Sequence, residues 1–138
     1  MYSLKVHKDT DKVIQLLKLC LYAGSNQAER IVGQYGEDPT RELLGIDEGG
    51  ELAGVMGVQF LPDGTVVLAH LAVSESRRKQ GIGTKLIKEF MTRYPEVLKL
   101  VVETDRDAVD FYRKAGFQVT SLGEKYPGVE RFLCTLKP

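Results

Sequence analysis

Between Leu68 and Ile87 the chain runs Leu-Ala-His-Leu-Ala-Val-Ser-Glu-Ser-Arg-Arg-Lys-Gln-Gly-Ile-Gly-Thr-Lys-Leu-Ile: an apolar strand, a basic turn bearing two glycines, then the start of an amphipathic helix. This is the pattern of an anion cradle. Backbone N–H groups in the first turn of a helix have no intrahelical acceptor, and the helix dipole adds partial positive charge, so a phosphate can settle there. Gly81 and Gly83 are read as removing side chains that would hold it off. Arg77, Arg78 and Lys79 put three cations beside the turn, which suits a ligand with several phosphates better than one with a single carboxylate. The expected ligand is nucleotide-like.

Spacing separates the ligand classes. A Walker A loop needs G-x-x-x-x-G-K-[ST], whereas the chain has Gly81-Ile82-Gly83-Thr84-Lys85. A dinucleotide fingerprint needs a third glycine where Leu86 stands, although Glu103 lies about twenty residues on, where such folds place a ribose-binding acid. The pattern [R/Q]-x-x-G-x-[G/A] is met by Arg78-Lys79-Gln80-Gly81-Ile82-Gly83. It resembles the motif with which the GNAT superfamily of N-acetyltransferases holds the pyrophosphate of acetyl-CoA.

At 138 residues the chain is expected to form one domain, residues 1–138, able to bury about 70% of its unfolded surface. Lys plus Arg and Asp plus Glu each number 19, so no global basic field points to nucleic acid or a membrane as partner. The start lacks the charged-then-apolar pattern of a secretion signal and no stretch approaches eighteen apolar residues, so a cytoplasmic location is expected. Cys20 and Cys134 lie in apolar patterns and read as buried free thiols.

In chain order, Ser3 to Lys8 alternates as a half-exposed strand would, and Asp9-Thr10-Asp11 offers helix caps. A helix follows with Val13, Leu16, Leu17, Cys20 and Gly24 on one face, then a second capped by Ser25 or Asn26 and running to about Gln34. Glu42–Asp47, Glu51–Leu61 and Thr65–Val73 read as three successive antiparallel strands, joined at Glu48-Gly49-Gly50 and Pro62-Asp63-Gly64. A dinucleotide-binding fold would put its glycine turn after the first strand; here it follows the fourth. The helix from about Gly81 to Tyr94, with Leu86, Ile87, Phe90 and Met91 inward, links to a strand at Lys99–Thr104, and the right-handed crossover makes that strand parallel to the fourth.

A second motif is Asp105-Arg106-Asp107-Ala108-Val109-Asp110-Phe111-Tyr112-Arg113-Lys114-Ala115-Gly116-Phe117. Asp105 can cap a helix carrying acids early and bases late, and Gly116 can end it. The segment resembles the GNAT pattern N-x-x-A-x-x-F-Y-x-x-x-G-F, with Asp105 where the family often has Asn. Phe117–Leu122 and Glu130–Leu136 then read as a hairpin joined through Gly123–Gly128. The order of elements over the whole chain is similar to that of the GNAT fold: α+β of the three-layer type, with a mixed, mostly antiparallel central sheet of about seven strands and helices on both faces.

The resemblance implies acetyl-CoA as co-substrate, no metal, and direct transfer to a primary amine. Tyr112 would protonate the departing thiolate and the Val73 N–H would polarise the thioester carbonyl. Leu71 and Val73 would bond the pantetheine arm, and Arg78, Lys79, Gln80, Gly81, Ile82, Gly83, Thr84 and Asp105 would contact the rest of the cofactor. The position where some relatives carry a basic Glu is Val67 here, so His70, Glu103, Asp38 or water is left as the base. In this fold the acceptor enters between residues 22–39 and 125–130. Tyr22, Tyr35 and Tyr126, with Glu29, Glu37, Asp38 and Glu130 against Arg30 and Lys125, suit a small cationic amine. A peptide amine, a non-catalytic acyl-CoA-binding module and a homodimer remain open.

Overall fold

A computed structural model describes residues 1–4, 10–20 and 27–138. The elements are β1 (Tyr2–Ser3), α1 (Thr10–Lys18), α2 (Gln27–Glu37), β2 (Arg41–Glu48), β3 (Glu51–Phe60), β4 (Thr65–Val73), a 3-10 turn (Glu75–Arg77), α3 (Ile82–Arg93), β5 (Lys99–Asp105), α4 (Val109–Lys114), β6 (Gln118–Tyr126) and β7 (Val129–Leu136). The seven strands form one sheet in the order β1-β2-β3-β4-β5-β7-β6. All neighbours are antiparallel except β4 and β5. The expected mixed sheet is therefore present, with β7 inserted between β5 and β6. Most of the strand proposed at Ser3 to Lys8, Gly24 and the caps at Asp9, Ser25 and Asn26 lie outside the described residues.

Two apolar layers cover the sheet. On one side Leu86, Ile87 and Phe90 of α3 and Val109 and Tyr112 of α4 pack with Val66 and Leu68 of β4 and Leu100 and Val102 of β5. On the other, Val13, Leu16 and Leu17 of α1 and Ala28, Ile31 and Tyr35 of α2 pack on Leu43, Val55 and Ala72. The helical spacing that predicted the inward faces of α1 and α3 holds because each presents one apolar stripe to a flat sheet. Cys20 departs from it: the helix ends at Lys18, and the residue is exposed rather than buried, whereas Cys134 is fully buried as expected. The β6–β7 hairpin also differs, since pairing continues through Gly123 and Glu124 to a tight turn at Pro127-Gly128 in place of a six-residue loop.

Two irregularities shape the middle of the sheet. The parallel ladder between β4 and β5 has only the pairs Thr65–Lys99, Val66–Leu100 and Val67–Val101, after which β5 pairs on its other side alone. Just beyond, the β3–β4 register slips: Gly57 lies opposite His70 and Val58 opposite Leu68, which leaves Ala69 as the extra residue of a bulge. The bulge interrupts the alternation of side chains. Leu68 joins the α3 layer, while His70 and Ala72 face α1 and α2. His70 therefore shares a face with Ala72 and not with Leu68.

Candidate functional site

Where β4 parts from β5, a cavity of about 540 Å³ opens, lined by Leu71, Val73, Arg77, Arg78, Lys79, Gly81, Ile82, Gly83, Thr84, Ala108, Phe111, Tyr112 and Lys114. Strand pairing sets its polar wall. The Ser74 N–H bonds the Ala53 carbonyl across the β3–β4 ladder. Because bonded and non-bonded positions alternate in an antiparallel pair, Val73 and Leu71 turn their backbone groups away from β3, toward the side β5 has vacated. Past the bulge these groups have no β5 partner among the described residues.

The basic turn supplies the opposite wall. Gly81 caps α3 in the left-handed conformation at φ 76°, and Lys79 shares that unusual region at φ 64°. Those two residues hold the chain in a tight reversal, so the unpaired N–H groups at the start of α3 open onto the cavity. Arg77 is anchored: its Nη2 donates to the Glu48 carbonyl at 3.2 Å and packs over Gly49. Gly83 has a packing role beside the one read for it. A Cβ there would come within 2.9 Å of the Phe111 ring tip, so this glycine, which also lines the cavity, lets α3 and α4 approach.

Tyr112 is 7% exposed and meets Phe111 and Phe117 edge-on. Burial, with lesser contributions from Cys134, Cys20 and Asp105, pushes its phenol well above the usual tyrosine range, so the hydroxyl stays protonated at any working pH. Asp105 closes the turn ahead of α4, its Oδ1 accepting the Ala108 N–H at 3.0 Å, while the helix itself starts at Val109 with Ala108 at its N-cap. Asp105 and Gln80 do not line the cavity. Phe111, Ala108 and Lys114 do, and these were missed; the basic end of α4 was in view but was read only as dipole compensation.

The candidate bases separate clearly. Glu103 is bonded by Lys125 at 3.1 Å and Arg131 at 3.5 Å, and Asp38 by Thr40 and Arg41. Those donors, led by Lys125 and Thr40 respectively, hold both carboxyls below the usual range, which makes them poor proton acceptors. His70 is half-buried, its Nδ1 2.7 Å from the Tyr35 hydroxyl. Burial, then the Arg41 charge, lower its pKa, so the imidazole is neutral at pH 7. Tyr35 itself is 1% exposed and belongs to the core, not to an aromatic wall of an acceptor site. Tyr126 is exposed at the hairpin tip, Glu130 is tied to Arg106, and Tyr22 lies outside the described residues.

A family model for the acetyltransferase (GNAT) family matches residues 10–117. The chain belongs to the GNAT acetyltransferase family. An aminoglycoside 6'-N-acetyltransferase complexed with coenzyme A has the same fold, with a TM-score of 0.81 at 18% identity over 99% of this chain and 97% of that one. A Bacillus subtilis acetyltransferase in complex with CoA gives 0.72 at 22% identity over 93% and 92%. Among curated proteins, a peptidyl-lysine N-acetyltransferase, YjaB of Salmonella typhimurium, is 38% identical over 63 residues, 41% of this chain and 43% of that protein. The chain spans about half the length of the curated relatives it matches. Among the described residues no helix is long and apolar enough to cross a membrane.

Proposed function

We propose that this GNAT chain is an N-acetyltransferase that moves the acetyl group of acetyl-CoA to a primary amine of a small molecule by direct attack. The observation that carries the reading is one cavity walled on one side by outward-turned strand backbone, on another by a basic helix start, and closed by a buried tyrosine. Its chemistry fits the co-substrate. Backbone groups of Leu71 and Val73 can pair with amides of an extended arm as a strand would. Arg78, Lys79, Gly81, Ile82 and Thr84 can hold a pyrophosphate through cations and N–H groups. Acetyl-CoA brings the acyl group as an activated thioester.

Within that arrangement the Val73 N–H is assigned to stabilise the oxyanion that forms at the carbonyl. Tyr112 is assigned to donate to sulfur. Its raised pKa keeps the proton in place, so donation to sulfur is uphill against a thiol of pKa about 8.5 and is completed only when solvent returns a proton to the oxygen; the hydrogen bond itself strengthens as negative charge builds on the departing sulfur. A hydroxyl buried this way contributes little to ground-state binding and much to the transition state.

Release of free thiol from acetyl-CoA tests the reading, with spermidine, glucosamine, lysine and a lysine peptide as acceptors. Amine-dependent release fastest with a small amine is expected. CoA binding without release for any acceptor would instead identify a non-catalytic acyl-CoA-binding module. The peptide arm matters because the relative YjaB is named for peptidyl-lysine, and preference for the peptide would move the acceptor to that class.

A further inference from the structure

The bulge at Ala69 turns His70 toward α1 and α2 three residues past the last β4–β5 pair, at the mouth of the split in the sheet. Its neighbour Leu71 lines the cavity on the other face. The imidazole is held by more than packing. Its Nδ1 lies 2.7 Å from the Tyr35 hydroxyl, and the two rings meet edge to face with centroids 5.7 Å apart. The hydroxyl fits only because residue 57, directly across the ladder from His70, is glycine: a Cβ there would sit 2.1 Å from the Tyr35 oxygen. Cys20 links this pair to the cavity. Its thiol donates to the Leu71 carbonyl at 3.2 Å, and it lies close enough to influence the ionisation of both Tyr35 and Tyr112. Tyr112 and His70 thus flank one short segment of β4 from opposite faces of the sheet.

We infer that His70 is the base of the transfer and that Tyr35 is its positioning residue. This rests on the acetyltransferase reading above. In the tautomer that donates Nδ1–H to the Tyr35 oxygen, Nε2 carries the free lone pair. The acceptor nitrogen forms the C–N bond with its lone pair and loses a proton to Nε2. The C–S bond breaks with its electron pair going to sulfur, which takes a proton from Tyr112, and solvent then returns a proton from the imidazolium to the phenolate. A nitrogen bonded to the tetrahedral carbon is far more acidic than a free ammonium, so a weakly basic imidazole suffices. The titratable or charged groups around the pair, among the described residues, are Tyr35 from α2, Arg41 from β2, itself 3.3 Å from Asp38, and Cys20. None of them is an anion able to hold the imidazole protonated at neutral pH.

The test follows kcat/KM from pH 5 to 10 for wild type, H70Q and Y35F, using acetyl-CoA and whichever of spermidine, glucosamine, lysine or the lysine peptide is turned over fastest. Calorimetric CoA affinity serves as the folding control. Wild type should show an acid limb with an apparent pKa below about 6.5. H70Q should lose that limb and run about 10² to 10³-fold slower at pH 7 with CoA affinity unchanged. Y35F should lower kcat about tenfold at constant KM for acetyl-CoA and move the limb, and added imidazole should restore H70A about tenfold or more. A folded H70Q within threefold of wild type that keeps the limb overturns the inference, as does H70A that binds CoA but ignores imidazole. Should the His70 variants fail to fold, an unchanged limb in Y35F overturns it. A wild-type protein that releases no thiol with any amine removes the acetyltransferase reading itself, and this inference with it.

Discussion

Replacing Gly57 with Ala tests how tightly α2 is fitted to the sheet. The added Cβ would lie 2.1 Å from the Tyr35 hydroxyl oxygen and 2.5 Å from its Cζ, well inside any tolerable contact. Tyr35 is 1% exposed, packed in the α1–α2 layer and bonded to His70, so the ring has no room to swing aside. Either the ring leaves the core or α2 lifts from β3. The first forfeits most of the burial of a large aromatic side chain, on the order of 3–5 kcal/mol, and the second costs about as much in overpacking strain and lost contacts. Taking about 3 kcal/mol and a few degrees per kcal/mol for a chain of this size, the thermal midpoint should fall by about 10 °C. Urea denaturation of the single variants and of Gly57→Ala/Tyr35→Leu closes a double-mutant cycle. Relief of the clash in the double variant should appear as a coupling of about 2 kcal/mol. A Gly57→Ala protein within about 1 kcal/mol of wild type, or strictly additive substitutions, would refute the close fit.

Tyr112→Phe should lower turnover about 10² to 10⁴-fold with acetyl-CoA affinity nearly unchanged, read by steady-state kinetics alongside calorimetry. Lys79→Gly relieves a left-handed backbone at φ 64° while removing a cation from the cavity wall, so thermal stability should rise by about 0.5–1 kcal/mol as CoA binding weakens. His70 has a folded-state pKa below its ordinary value, so the unfolded chain binds the extra proton. Its contribution is complete above about pH 6.5 and is lost as pH falls through the lowered value, and denaturation midpoints should show this step in wild type but not in His70→Gln. The depressed carboxyls of Glu103, Glu130 and Asp38 act lower, their contribution being present above about pH 4.5 and eroding in stronger acid.

Much of the site was legible because its logic is local. The Arg78–Thr84 turn, the stripe of α3 and the Asp105 hydrogen bond each depend on residues within a few positions of one another, and the structure brings the turn, β4 and Tyr112 to one cavity. What escaped was whatever depends on pairing between distant segments. A bulge leaves no mark on strand composition, so the face taken by His70 could not be read until Gly57 was found opposite it. Gly83 was read for phosphate alone because its neighbour Phe111 lies on another helix, and Tyr35 was read into the acceptor site because its partner lies 35 residues away. The place of β7 between β5 and β6 likewise follows from edge pairing that the hairpin pattern does not encode.

The three-pair seam between β4 and β5 also has a kinetic meaning. On one side of it, β2, β3 and β4 form a meander of short-range contacts; on the other, β6 and β7 form a hairpin joined by a two-residue turn. Such pieces assemble rapidly because little chain must be closed to make them. Joining them requires α3 to dock and β5 to find β7 some thirty residues onward, and these are the slow, high-contact-order steps. The cavity exists only once the two pieces have met, so ligand-binding competence should arrive with the last phase of refolding, after most of the secondary structure is in place.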